Sequence, residues 1–250
     1  MQQTESPGQL PAKLSVGGVL SRSWRTLMRA PAVFCGLAAA SSLSAFLLDY
    51  FSVAENAVDT PESLGVDLLL VFLGFVFISI VQAVVAYEVF RVLDGAEPSF
   101  VPPIARGLAC IAPVAVLAAL YMSGILLGLI LLVIPGFILV CMWEVALPAC
   151  VAENLGPIAS LKRSAALTKG CRMQIFGLFI GTMLPYLLLA ALGSTLLAEA
   201  IDDFWIRSVI GNMAAIPAFA YFSVMMGTIY YDLRTMKEGA AISGMARVFS

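Results

Sequence analysis

Between Arg106 and Glu144 this chain runs for 37 residues without a charged side chain. As one helix rising about 1.5 Å per residue, that stretch would extend ~55 Å, nearly twice the ~30 Å hydrocarbon core of a bilayer. It must therefore enter an apolar medium and fold back within it. Met122-Ser123-Gly124 is the best-placed turn, because glycine and serine break a hydrophobic run at little steric cost. This predicts one span near 108–121 and the next near 125–148.

The rest of the chain agrees. Of its 250 residues, 61% are hydrophobic and 12% charged, against roughly half and a quarter in soluble domains. Such an excess of apolar side chains places the chain among integral membrane proteins. Four further runs are long and apolar enough to cross, near 31–48, 68–90, 173–197 and 208–230. The alternation a barrel needs is absent, and exposed non-helical backbone is excluded from lipid. The expected fold is an all-α integral membrane protein, a six-helix transmembrane bundle with short amphipathic interfacial helices. Residues 1–12 are expected to be a disordered tail, 13–240 one membrane domain and 241–250 a second tail. The first apolar run begins behind a long polar lead, so it reads as a retained span rather than a signal peptide.

Charge gives the orientation. Lys13, Arg22, Arg25 and Arg29 precede the first span, and Arg91 and Arg106 lie between the second and third. Lys162, Arg163, Lys169 and Arg172 lie between the fourth and fifth, and Arg234, Lys237 and Arg247 follow the sixth. Of the basic residues only Arg207 falls on the other side, where the loops carry Asp49, Glu55, Asp59, Glu62, Asp67, Glu199, Asp202 and Asp203. The positive-inside rule then predicts both termini in the cytoplasm.

Three basic segments look like interfacial helices. In LSVGGVLSRSWRTLMRAP, Ser15 can cap a helix whose apolar face holds Val16, Val19 or Leu20, Trp24 and Leu27. In SLKRSAALTKG, Ile158, Leu161 and Ala165 share a face, and Gly170 can close the helix. Setting Leu20-Ser-Arg-Ser23 on Leu161-Lys-Arg-Ser164 brings Gly36-Leu37 onto Gly177-Leu178 without a gap. PSFVPPIARGL is a weaker third copy. The expectation is three units of like orientation, each an interfacial helix followed by a two-span hairpin.

Several segments then form a pattern: Ile134-Pro-Gly-Phe-Ile-Leu139, the run LPACVAENLG ending at Gly156, SLKRSAALTKG, and TIYYDLRTMKEG over Thr228–Gly239. In order and spacing this resembles the glycerophosphoryl diester phosphodiesterase membrane-domain family and related uncharacterised bacterial inner-membrane proteins, over roughly residues 13–240. The resemblance implies a six-span protein of the bacterial inner membrane. It does not imply an enzyme, since the family's phosphodiesterase chemistry belongs to a separate soluble domain.

Residues able to carry chemistry are few. There is no histidine, which removes the commonest general base and metal ligand. No nucleotide loop, zinc motif or paired intramembrane aspartate is present. The five cysteines, Cys35, Cys110, Cys141, Cys150 and Cys171, lie in or beside apolar runs and read as buried thiols. No catalytic residue, cofactor or metal is expected. Glu144 is the sharpest candidate for function, because a carboxylate in hydrocarbon is costly; the competing reading is an interfacial pair with Lys162 or Arg163. Pro135-Gly136 is the candidate hinge, with Pro113, Pro185 and Pro217 as further interruptions. Glu88 with Arg91, and Tyr231, Asp232 and Arg234, read as local interfacial groups; Gln82, Gln174 and Asn212 read as interhelical partners. Gly177 and Gly181 match a close-packing motif.

Arg22, Arg25, Arg29, Lys162, Arg163 and Lys169 are the candidate contacts to anionic lipid headgroups or a membrane-protein partner. A net charge of −2 argues against nucleic acid. The favoured expectation is a non-catalytic scaffold or accessory subunit docking through these basic helices. The alternative is a carrier for a lipid or small amphiphile through the kinked bundle.

Overall fold

The computed structural model describes residues 14–56, 63–131 and 133–248; expectations for the first twelve residues lie outside these. The described residues are helical, with no strand among them. In chain order the helices are α1 (Val16–Arg29), α2 (Pro31–Asn56), α3 (Ser63–Leu93), α4 (Val101–Ala109) and α5 (Ile111–Leu131), then α6 (Val133–Trp143), α7 (Ala146–Glu153), α8 (Pro157–Thr168), α9 (Arg172–Ala200) and α10 (Phe204–Val248). Five stretches are long and apolar enough to cross a bilayer: Pro31–Tyr50, Leu68–Leu93, Ile111–Gly128, Arg172–Ala200 and Phe204–Glu238. The chain is a helical, multi-pass membrane protein.

The uncharged segment folds back, but not where expected. Met122, Ser123 and Gly124 lie inside α5, which continues to Leu131 before α6 returns alongside it. A turn at 122–124 would leave the preceding span 14 residues, about 21 Å, short of the membrane core. The glycines there serve close approach instead. The Trp143 ring lies against Gly124, and a Cβ on Gly128 would stand 2.9 Å from the Gly136 Cα. Thus α5 and α6 are antiparallel and in near backbone contact. The return leg differs from an ordinary span: α6 has 11 residues and α7 has 8, with a break at Glu144-Val145. Neither piece is long enough to cross alone.

Prolines explain these boundaries. A proline cannot donate to the carbonyl four residues back and its ring crowds that carbonyl. Four residues before Pro135 is Leu131, the last residue of α5; four before Pro148 is Glu144, where the return leg breaks. Pro135 itself sits in the first turn of α6, where the missing N–H costs nothing. The hinge belongs to Pro148 and not to Pro135-Gly136, and Gly136 is a packing glycine. Pro113 is likewise in a first turn, whereas Pro185 and Pro217 lie inside α9 and α10.

The core sits at the end of the bundle where the basic residues gather. From Val81 to Val92, α3 is buried on almost every side, packed by α2, α4, α5, α7 and α10. It meets the stretch Ala220–Leu233 of α10, whose Gly227 lets Val89 approach closely.

The element order places a short amphipathic helix before a helical hairpin three times: α1 before α2–α3, α4 before α5–α6, and α8 before α9–α10. Ser15 caps α1 by accepting from the Gly18 N–H at 3.2 Å, and Gly170 (φ +92°) follows the end of α8. The buried faces are not those the apolar spacing predicts. In α1 they are Val19, Ser23, Thr26 and Leu27, with Val16 and Trp24 exposed; in α8 they are Ser160, Ser164, Leu167 and Thr168, with Ile158 exposed. Small hydroxyl residues join Val19, Leu27 and Leu167 on the inward faces because these helices lie close against α10 and the α6–α7 break. In the gap-free alignment of the two segments these buried positions coincide, and Phe34 and Leu37 fall on the equally buried Ile175 and Leu178.

Candidate functional site

Glu144 occupies the break between α6 and α7. A helix end leaves carbonyls without intrahelical donors, and here α8 supplies a donor. Ser164 Oγ donates to the Met142 carbonyl at 2.8 Å, while Thr168 Oγ1, 3.3 Å from the same oxygen, gives its proton to the Ser164 carbonyl at 2.9 Å. The Ser164 hydroxyl of SLKRSAALTKG thus helps hold the broken leg in place.

The carboxylate itself is 9% exposed. Its partner is Tyr121 of α5, whose hydroxyl donates to Oε2 at 3.4 Å, a long bond. Neither Lys162 nor Arg163 reaches it: Lys162 is exposed, and Arg163 bonds Glu153 and Glu238. Glu144 lines a cavity of about 330 Å³ bounded by α3, α5, α6, α7, α9 and α10. Its walls include Phe75, Tyr121, Trp143, Phe179 and Phe222, with Ser79 and Gln82 the uncharged polar groups besides the phenol. The rings of Phe75 and Tyr121 stand 6.2 Å apart, those of Tyr121 and Trp143 6.3 Å, and those of Phe179 and Phe222 5.7 Å. Among the described residues no lysine or arginine lines this space. The arrangement is a carboxylate in an aromatic box, at a helix break, with one weak donor.

The basic end is tied together by ion pairs centred on α10. Asp232 pairs with Arg22 of α1, and Tyr231 Oη donates to Asp94 at 3.3 Å. Tyr230 Oη donates to Glu153 Oε1 at 2.6 Å, and Arg163 Nε donates to the same oxygen at 2.9 Å. Glu238 takes Arg163 and, at 3.0 Å, Arg234. Lys237 donates to the Ala166 and Lys169 carbonyls at 2.5 and 3.0 Å, closing the end of α8. Asp232 is therefore a long-range anchor and not a local group. Glu88 and Arg91 do pair locally at 2.7 Å, and the fully buried Glu88 also accepts the Ser99 N–H at 2.7 Å.

The remaining sequence candidates divide. Arg25, Arg29, Lys162 and Lys169 are exposed at the basic end. Arg22 and Arg163 are held in the pairs above. Asn212 links α10 to α2 through Asp49 at 3.3 Å. Gln174 Oε1 is buried without a partner among the described residues. Gly177 and Gly181 have open space where a Cβ would stand, so their spacing makes no close helix contact among the described residues. Cys110, Cys141 and Cys150 are buried free thiols, and Cys35 and Cys171 are partly buried ones. Among the described residues no group of histidine, cysteine or acidic side chains is placed to hold a metal.

Sequence reasoning missed Tyr121, Trp143, Ser164, Thr168 and Pro148 as parts of the Glu144 site. Only Pro148 carried a usable signal, through its effect four residues back. Comparison with protein-family models, with curated proteins and with solved structures finds no match.

Proposed function

We propose that this chain is a non-catalytic membrane protein that binds, and carries across part of the bilayer, a small amphiphile in the cavity at Glu144. The carrying observation is a buried carboxylate lining a cavity walled by aromatic rings at a helix break. An ion in hydrocarbon costs several kcal/mol unless something repays it, and broken helices in membranes are tolerated where they line cavities. About 330 Å³ is at the small end of ligand pockets, enough for one compact molecule.

The test is native mass spectrometry on protein gently extracted from its own membrane. A bound molecule that is absent from Met183→Trp protein, in which the cavity is filled, supports the reading. Bare wild-type protein counts against it.

A scaffold role is the second reading. It is favoured by Arg25, Arg29, Lys162 and Lys169, which stand exposed on one end and suit anionic headgroups or a membrane-protein partner. A stoichiometric protein in the same spectra would support it.

The same proposal covers placement. The basic end is taken as cytoplasmic, with both termini there, in a bacterial inner membrane; α6 and α7 together would make the sixth crossing. Kinship with the membrane-domain family named above rests on the PG, LKRS…LTKG and YYDLR segments. The coincident buried faces of α1 and α8 support an internal repeat. Reporter fusions after Asp202 and at the C-terminus test the orientation, opposite compartments being expected.

A further inference from the structure

We infer that the cavity at Glu144 is built for an organic monocation, an ammonium group carrying a compact apolar body. This rests on the carrier reading and specifies its ligand. The argument begins from imbalance. Glu144 is nine-tenths buried, yet among the described residues its partner is one phenol at 3.4 Å and no basic side chain shares the space. A buried carboxylate that carries its charge needs a countercharge, and none is resident among the described residues.

The chemistry of the walls selects which countercharge. A hard metal ion wants six or more oxygens, and the cavity offers Glu144, the Tyr121 phenol, the Ser79 hydroxyl and the Gln82 amide. The Ser79 hydroxyl is already given to the Phe75 carbonyl at 2.8 Å. An anionic headgroup would meet Glu144 with like charge. An organic cation instead uses what is present. Its charge pairs with the one carboxylate, and its alkyl substituents lie against the ring faces of Phe75, Tyr121 and Trp143, where cation–π attraction adds to apolar contact. Gln82 makes no side-chain hydrogen bond among the described residues and is left to accept from an N–H of a primary or secondary amine.

The test is equilibrium dialysis of the full chain in detergent micelles against radiolabelled benzyltrimethylammonium, its uncharged isostere neopentylbenzene, and benzenesulfonate. Wild-type protein is expected to bind the cation. Glu144→Gln is expected to bind it about tenfold or more weakly while holding the isostere unchanged. Trp143→Leu, which keeps the carboxylate, is expected to weaken the cation several-fold, and it serves if Glu144→Gln does not fold. Equal binding of the cation by wild type and Glu144→Gln overturns the inference. So does binding of the isostere without the cation, which leaves the carrier reading standing. If none of the three binds, the inference falls, and the native mass spectra decide the carrier reading separately. Repeating the measurement in phosphatidylcholine and in phosphatidylglycerol bilayers distinguishes the source. Weaker probe binding in phosphatidylcholine assigns the site to a lipid headgroup and equal binding to a free amine, and either supports an ammonium ligand.

Discussion

The basic end and the far end of this bundle are built differently. At the basic end, α3 and α10 are buried over Val81–Val92 and Ala220–Leu233, and α1, α7 and α8 are pinned to α10 by Asp232, Tyr230, Lys237 and Glu238. At the far end, α9 turns Leu187, Leu188, Leu189, Leu192 and Leu196 outward, each more than half exposed. There α9 and α10 leave a cleft of about 640 Å³ running from Tyr186 to Arg207, and the main polar link is Asp49 with Ser208 and Asn212. Lipid tails are as apolar as leucine, so apolar side chains alone give helices no reason to associate. Cohesion in this protein comes from polar pairs, which are concentrated where the basic residues gather, and from backbone contact between α5 and α6 at Gly128 and Gly136, at the opposite end of that hairpin.

One substitution made in two places separates backbone contact from open helix face, with the largest expected effect. Gly128→Val drives a side chain into the α6 backbone at Gly136, whereas Gly181→Val meets open space. The first is expected to cost about 3 kcal/mol and to lower the thermal midpoint in detergent markedly; the second is expected to leave it alone. An equal shift for both would break the comparison. Glu153→Gln comes next. It weakens the acceptor shared by Arg163 and Tyr230, and since both ends of the ion pair are partly exposed the expected loss is about 2 kcal/mol. Raised protease sensitivity around α8 should accompany it. Ser164→Ala takes the hydroxyl donor from the Met142 carbonyl. Roughly 1–2 kcal/mol is expected for an orphaned buried acceptor, together with faster labelling of Cys141, beside the break, by a membrane-permeant maleimide. Unchanged labelling would mean α8 does not hold the break. Smallest is Leu188→Ala, which trades one lipid-facing apolar surface for another. A change within about 0.5 kcal/mol is expected, and a larger one would show that α9 is packed in a way its exposure denies.

What could be read from the chain beforehand follows the strength of each physical signal. The five long helices were legible because apolar length and charge exclusion leave one solution in lipid. The Ser15 cap and the glycine after α8 were legible because those residue types suit those positions. Gly124 was misread because a turn and a close contact call for the same residue, and only the length of the preceding span separates them. The break at Glu144 was in reach through Pro148, but Pro135-Gly136, nearer the middle of the hydrophobic run, drew attention from it. The inward hydroxyls of α1 and α8 were not legible: Ser23, Thr26, Ser164 and Thr168 pass for polar filler on an amphipathic helix until their burial against neighbouring helices is seen. Of the candidate site, the carboxylate was found from cost alone. Its aromatic box was not, since Phe75, Tyr121, Trp143, Phe179 and Phe222 come from five helices with no common spacing.

The shortness of α6 also bears on how the protein is made. Eleven apolar residues, about 16 Å, are too few to be recognised as a membrane segment when they leave the ribosome. The 21-residue α5 before them is long enough, and the Gly128–Gly136 contact lets the two lie together as soon as both exist. The pair is therefore expected to enter the bilayer as one hairpin and not as successive spans. A bulky residue at either glycine would then be felt during synthesis, as chain left outside the membrane, before there is a bundle to destabilise.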